Sequence, residues 1–160
     1  MKTIKFLLLV FLATTSAALT SCNKDDDESP TSDTFIKFTA AGNDYNFGDI
    51  VTAESANITF NGNNGVGLTD PGDMDISIWV PVDFEKGTYT LTDTFGADYK
   101  IAFSSDSMGF SFDFANEGTL VITKKDGEYV EGTFSGTIVS GEDETKTLTI
   151  INGSFRAYSI

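Results

Sequence analysis

Histidine is absent from this 160-residue chain, and cysteine and arginine each occur once, as Cys22 and Arg156. Without histidine the chain can form neither a histidine-dependent catalytic triad nor a histidine-ligated metal centre. A single cysteine cannot close a disulfide within the chain, and a single arginine cannot build a multi-arginine anion site. Catalysis would have to use carboxylates, Ser, Thr, Tyr or Lys. A glycosidase that needs only two carboxylates is the enzyme class that stays open.

Positive charge is scarce as well. The chain has 24 acidic side chains against 10 basic ones, a net charge of −14. Nucleic-acid binding depends on Lys and Arg that neutralise phosphates, so we expect no nucleic-acid partner. Direct docking on anionic lipid headgroups is disfavoured for the same reason. No catalytic or cofactor motif occurs, and we expect a protein that is not an enzyme and holds no cofactor.

The first residues have the pattern of a cleaved signal. Lys2 and Lys5 precede an apolar run over residues 6–19, which is short for a membrane span. The run ends in Leu19-Thr20-Ser21-Cys22, which resembles the lipobox at which bacterial signals are cut and the cysteine sulfur is acylated. We predict that residues 1–21 are removed and that diacylglycerol on Cys22, with a further acyl chain, anchors the mature chain to a lipid bilayer. An ordinary secretory signal that ends near a cysteine is the alternative.

Residues 22–33 are predicted to form a lipidated, disordered, acidic tether, because they are polar and have nothing to bury. This segment resembles the export signal that directs Bacteroidota lipoproteins to the outer leaflet of the outer membrane. The resemblance rests on Lys24, Asp25, Asp26, Asp27 and Glu28. It implies a protein that faces the cell exterior. A plain solvated linker and a protein on the periplasmic face are the alternatives.

Residues 34–160 have the pattern of one antiparallel β domain. Apolar and polar residues alternate, and no segment repeats its apolar residues with a helical period. Lys125-Asp126-Gly127 predicts a tight hairpin, and Asn152-Gly153 predicts a bulge rather than a turn. The predicted strands are Phe35–Ala40, Tyr45–Phe47, Ala56–Phe60, Met74–Val80, Gly87–Thr92, Tyr99–Phe103, Met108–Phe114, Thr119–Lys124, Tyr129–Val139 and Thr145–Tyr158.

Short turns between so many strands are typical of a single meander that closes into a calycin-like barrel, with a β-sandwich as the alternative. Five segments carry a family resemblance: residues 38–42, 87–91, 118–124, 132–136 and 150–155. Together with the lipobox and the acidic tether, they resemble small outer-membrane lipoproteins of Bacteroidota whose function is unknown. The resemblance implies an all-β domain and supplies no catalytic residues.

Trp79 is a candidate binding residue. It lies on the polar face of the predicted Met74–Val80 strand, opposite the apolar residues. A solvent-facing aromatic ring on a sheet is a surface on which sugar rings stack. Alternatively, both faces of the domain are covered, or Trp79 packs beneath the loop at Pro81.

Asp70, Asp73 and Asp75 are candidate ligands for calcium. They concentrate three carboxylates in a turn that leads into a strand, and Ca²⁺ prefers oxygen ligands. Their spacing differs from that of an EF-hand loop, and an acidic turn that only aids solubility is the alternative.

Ser107 is a candidate site of O-glycosylation. Asp106-Ser107-Met108 resembles the short motif at which Bacteroidota proteins are glycosylated, and it lies in a predicted exposed turn. A chance match is the alternative.

From these features we expect a surface-anchored lipoprotein whose β domain binds a glycan, a small apolar ligand or another envelope protein without catalysis. A structural component of an outer-membrane complex and a small carboxylate-dependent hydrolase are the alternatives. A deep cavity lined by Phe110, Phe112 and Phe114 would favour the apolar ligand. A packed interior with an exposed face around Trp79 would favour a glycan or a protein, and facing carboxylates in a cleft would favour the hydrolase.

Overall fold

Ten β-strands occupy most of the residues that the computed structural model describes, which are 33–66, 70 and 72–160. These residues include no helix, and therefore none that could cross a membrane. The lipobox, Cys22 and the acidic segment 24–28 lie outside the described residues. The strands are β1 (Phe35–Ala40), β2 (Asn43–Gly48), β3 (Val51–Glu54), β4 (Asn57–Asn63), β5 (Met74–Pro81), β6 (Gly87–Leu91), β7 (Lys100–Ser105), β8 (Phe110–Lys125), β9 (Tyr129–Val139) and β10 (Thr147–Tyr158).

The strands form one antiparallel sheet that curls into a half-barrel, in the order β2-β1-β10-β9-β8-β7-β5-β4-β3. Its two edges, β2 and β3, are joined by only Asp49 and Ile50, so the sheet must curl to bring them together. The Thr52 hydroxyl on β3 donates a hydrogen bond of 2.9 Å to the carbonyl oxygen of Tyr158 on β10, which ties the curled sheet together. The all-β, barrel-like class predicted from the alternation is therefore confirmed.

The expected meander is interrupted twice, between β2 and β3, which do not pair, and at β6. β5 pairs with β7, and β6 instead pairs with the second half of β8, from Gly87 opposite Ile122 to Leu91 opposite Gly118. β7 pairs with the first half of β8. β6 and β7 therefore lie end to end along one edge of β8, and the loop of residues 92–99 leaves the sheet where they meet.

β8 replaces two of the predicted strands. Met108–Phe114 and Thr119–Lys124 were expected to be separate, but one strand of 16 residues runs through both. A register shift against β9 between Ala115 and Glu117 marks a β-bulge, which absorbs the irregular sequence between the two segments without a turn. The short edge strand β3 was not predicted. The hairpin at Asp126 and the bulge at Asn152 are confirmed.

The core fills the inside of the curled sheet with the inward residues of nine strands and with Ile50 and Phe84 from the connections between strands. Phe60, Phe103 and Phe155 are almost fully buried, and each such side chain contributes about 1.5–3 kcal/mol to stability. Gly132 on β9 allows the carbonyl oxygen of Val121 and the ring of Phe155 to approach the strand closely, because a Cβ at this position would overlap both.

Candidate binding surface around Phe112

A β-bulge near the start of β8 places two phenylalanines on the outer face of the sheet. Ser105 pairs with Phe110 and Phe103 pairs with Asp113, so β8 contains one residue more than β7 over this interval. One extra residue reverses the face of every side chain that follows it. Phe110 is buried in the core, whereas Phe112 is 48% exposed. The deep cavity lined by Phe110, Phe112 and Phe114, which would have favoured an apolar ligand, is therefore not formed.

Trp79, Phe112 and Phe114 make an aromatic cluster on this outer face. The rings meet edge to face, with centroid distances of 6.3 Å for Trp79–Phe112, 6.0 Å for Trp79–Phe114 and 5.4 Å for Phe112–Phe114. The Lys100 ammonium lies 4.8 Å from the centroid of the Phe114 ring. Ala102 pairs with Phe114 and follows the core residue Ile101, so its side chain faces outward from the sheet. It is buried nonetheless, because the outer aromatic rings cover it. The aromatic cluster is thus a small packed layer outside the barrel.

Trp79 supports this layer from below. The sequence placed it correctly on the outer face, but its side chain is half-buried and its indole N–H is buried without a hydrogen-bond partner. An unpaired buried donor of this kind costs about 1–3 kcal/mol. The open ring for stacking a ligand is therefore that of Phe112 and not that of Trp79.

The backbone at Phe112 is strained. Its φ of 58° lies in the left-handed region, which costs a residue with a Cβ roughly 1–2 kcal/mol. The backbone N–H of Ser111 donates to a carboxylate oxygen of Asp113 at 3.0 Å, a contact that spans Phe112 and holds the bulge. Strain of this kind concentrates at functional sites, which makes Phe112 a candidate for function.

A groove of about 480 Å³ adjoins the exposed ring. Its lining combines the two phenylalanines with carboxylate, amide and hydroxyl groups. The lining residues are Asp93, Phe112, Asp113, Phe114, Asn116, Val139, Ser140, Gly141 and Glu144. Asn116 braces one wall, because its Nδ2 donates to Asp93 at 2.7 Å while its Oδ1 accepts the backbone N–H of Val139 at 2.8 Å.

The loop of residues 140–146 forms the opposite wall and is fastened to β8. The second carboxylate oxygen of Asp113 accepts the N–H of Gly141 at 2.9 Å, and the Ser111 hydroxyl donates to Glu142 at 2.8 Å. Within the loop, hydrogen bonds from the hydroxyl and the backbone N–H of Thr145 hold the pKa of Asp143 below its usual value. The groove is therefore built before any ligand arrives, and its rim is acidic.

The groove suits a neutral polyhydroxylated ligand better than a metal ion. Among the described residues, no group of three or more acidic or cysteine side chains could hold a metal. Both carboxylate oxygens of Asp113 already accept backbone N–H groups. An exposed aromatic ring beside fixed hydrogen-bonding groups provides an apolar contact and directed polar contacts at one site.

The predicted calcium ligands do not come together. Asp73 accepts hydrogen bonds from the hydroxyl and the backbone N–H of Ser107 and from the Ser105 hydroxyl, and these lower its pKa. Burial raises the pKa of Asp75. The Asp70 carboxylate accepts the N–H of Gly72 within its own turn. Because each carboxylate has separate surroundings, the calcium site is not formed.

Ser107 lies in the exposed turn between β7 and β8, as the sequence predicted. Its hydroxyl donates to Asp73 at 2.5 Å, so a glycan on this oxygen would remove that hydrogen bond. O-glycosylation of Ser107 stays a prediction.

The chain has no significant match among protein-family models, curated proteins or solved structures. Any functional conclusion therefore rests on the geometry around Phe112.

Proposed function

We propose that this chain is a bacterial lipoprotein displayed on the outer membrane, whose β domain binds a glycan without catalysis. The main support for this proposal is the position of Phe112. A strained bulge leaves its ring half-exposed beside the groove. A sugar presents an apolar C–H face that fits an aromatic ring, and its hydroxyls can donate to Asp93 and Glu144.

The remaining ligand classes fit less well. A small apolar ligand needs an apolar cavity, whereas the side chains inside the curled sheet pack against one another as one core. A protein partner on an apolar patch would need a larger surface than the one half-exposed phenylalanine in this groove. The mixture of one ring and several polar groups favours the glycan.

The position of the groove agrees with display at a cell surface. On β10, Arg156 pairs with Phe35 at the start of the described domain and with Glu131 near the start of β9. Val139, at the other end of β9, lines the groove. Eight residues of strand separate Glu131 from Val139, roughly 26 Å at about 3.3 Å per residue. This separation supports the proposed display, because a ligand would meet the groove at the end of the sheet opposite the point at which the predicted tether joins the domain.

Glycan binding can be tested with residues 29–160, since residues 31–160 form a compact unit of their own. Binding to an array of bacterial, plant and host glycans is measured first, and affinities for the hits are then measured by calorimetry. We expect Phe112→Ala to weaken binding about tenfold or more, the equivalent of 1.4 kcal/mol. Tyr158→Ala is the matched control, because this aromatic side chain is 47% exposed and pairs with Tyr129 at the far end of β9.

Equal binding by the parent and by Phe112→Ala would refute the site. If no glycan binds, and cross-linking on intact cells instead captures one defined envelope protein, the structural or assembly role replaces this proposal.

Anchoring is tested separately in cells. Cys22→Ser should release the protein from the membrane fraction and abolish labelling by fatty acid, because the acyl chains supply the membrane affinity. Replacement of Asp25, Asp26 and Asp27 by Asn should leave the protein membrane-bound but protected from external protease. A triple variant that stays protease-accessible would contradict the export signal.

Because carboxylates line the groove, a small hydrolase is the alternative function to be tested. Asp93, Asp113 and Glu144 line the same groove, but Asp113 is occupied by two backbone N–H groups. We expect prolonged incubation with a bound glycan to release no new reducing ends. Release that Glu144→Gln abolishes, with binding retained, would establish the hydrolase in place of the binding protein.

A further inference from the structure

Phe95 is the most exposed aromatic side chain in the described part of the molecule. Its side chain is 101% exposed, and only Phe112 and Tyr158 are also exposed among the aromatic residues described. Phe95 lies in the loop of residues 92–99, between β6 and β7.

The topology places this loop beside the groove. The loop leaves the sheet where β6 and β7 meet along the edge of β8, and Asp93 within it lines the groove and is held by Asn116. Phe95 is two residues further along, so its Cα lies within about 7 Å of that of Asp93. Phe95 does not line the groove itself, but its backbone lies close to one wall of it, next to the lining residue Asp93.

The loop is ordered by its own hydrogen bonds. The N–H of Ala97 donates to the carbonyl oxygen of Thr94 at 3.1 Å, and the N–H of Thr94 donates to the hydroxyl of Thr92 at 3.2 Å. Gly96 takes a φ of 84°, which a glycine adopts without strain. The backbone that carries Phe95 is thus fixed by a defined turn, which limits the backbone entropy that a ligand would have to remove.

We propose that Phe95 is a second stacking position for the ligand of the groove, so that the site takes an extended oligosaccharide chain rather than a single sugar. This inference rests on the proposed glycan binding. A lipid surface suits Phe95 poorly, because Asp93 and Asp98 flank it and residues 92–99 contain no basic side chain.

The test compares ligands of increasing length. Affinities of residues 29–160 are measured by calorimetry for cello-, malto-, xylo- and manno-oligosaccharides, from the monosaccharide to the hexasaccharide. We expect affinity to rise with length and then level off. Phe95→Ala should remove this rise, at a loss of about tenfold for the hexasaccharide, and leave the monosaccharide unchanged. Phe112→Ala should weaken every length. Val82→Ala, at a loop side chain 48% exposed, is the matched control.

The outcomes separate this inference from the proposed function. Binding that ignores chain length, or that Phe95→Ala leaves unchanged at every length, overturns the second stacking position and leaves the binding at Phe112 standing. Absence of binding to all four series overturns the second stacking position but not the proposed function, which only absence of binding on the whole glycan array overturns. Sedimentation of the parent with phosphatidylglycerol vesicles that is lost in Phe95→Ala would assign Phe95 to a membrane and overturn the inference.

Discussion

Substitution of Phe112 by Gly and by Ala separates the strained backbone from the exposed ring. Both changes remove the contacts with Trp79 and Phe114, so the difference between the two variants reports the backbone alone. A residue with a Cβ costs about 1–2 kcal/mol in the left-handed region, whereas Gly in an ordinary strand is about 0.5–1 kcal/mol less stable than Ala. Since φ is 58° at Phe112, the first effect exceeds the second. We expect Phe112→Gly to be more stable than Phe112→Ala by about 0.5–1 kcal/mol.

Urea denaturation of residues 29–160 measures this difference, provided that the m-value is the same in both variants. The thermal midpoints should differ by about 2–5 °C for a domain of this size. Thr133 on β9 is the control, because it is exposed and its φ is not positive. There Thr133→Gly should be less stable than Thr133→Ala, the opposite order. If Phe112→Ala proves as stable as Phe112→Gly, the strained bulge, and with it the argument for function, is refuted.

Two changes test the β8–β9 hairpin and the packing of β9. Hydrogen bonds, chiefly from the backbone N–H of Tyr129, hold the pKa of Asp126 at about 2 against its usual 3.8. Because the pKa is lower in the folded state, the stabilisation is present above about pH 4 and is lost as the pH falls towards 2. Asp126→Asn should flatten the fall of the thermal midpoint between pH 4 and pH 2, and an unchanged fall would contradict the assignment. Gly132→Ala should lower the free energy of unfolding by about 3 kcal/mol, because the added Cβ overlaps the backbone carbonyl oxygen of Val121 and the ring of Phe155. In Gly127→Ala, where nothing lies within 4 Å of the added Cβ, urea denaturation should show little change, and equal losses in both variants would refute the packing argument.

Much of the fold could be predicted from the sequence because most of its signals are local. Alternation identified nine of the ten strands, and Asp126-Gly127 identified a hairpin whose geometry requires little beyond its own residues. The exception is β3, with four residues, three of them exposed. So short an edge strand buries too little to leave an alternating pattern.

The bulge at Phe112 could not be predicted, because the sequence around it fits a regular strand. Phe110, Phe112 and Phe114 alternate with polar residues, and this pattern places all three on one face. Only the pairing with β7 shows that an extra residue intervenes. Likewise, residues 115–118 separate the two predicted strands, but Ala115, Glu117 and Gly118 pair with β9 and keep the strand continuous.

The groove was missed because its parts are distant in the chain. Asp93 belongs to the β6–β7 loop, Asp113 to β8 and Glu144 to the β9–β10 loop. The acidic turn 142–144 is visible in the sequence, but nothing there indicates that Ser111 and Asp113 hold it. The same holds for Asp73, whose partner Ser107 lies 34 residues away.

The outer aromatic cluster is hard to explain by stability alone. In a regular β8, Phe112 would point inward, towards a core that already holds Phe60, Phe103 and Phe155. The bulge avoids that crowding, yet it leaves a strained backbone at Phe112 and an unpaired indole N–H at Trp79. Glycine at position 112 would relieve the strain and expose less apolar surface. Because strain that does not serve folding concentrates where a protein binds or reacts, a phenylalanine at this position is better explained by contact with a ligand than by the fold.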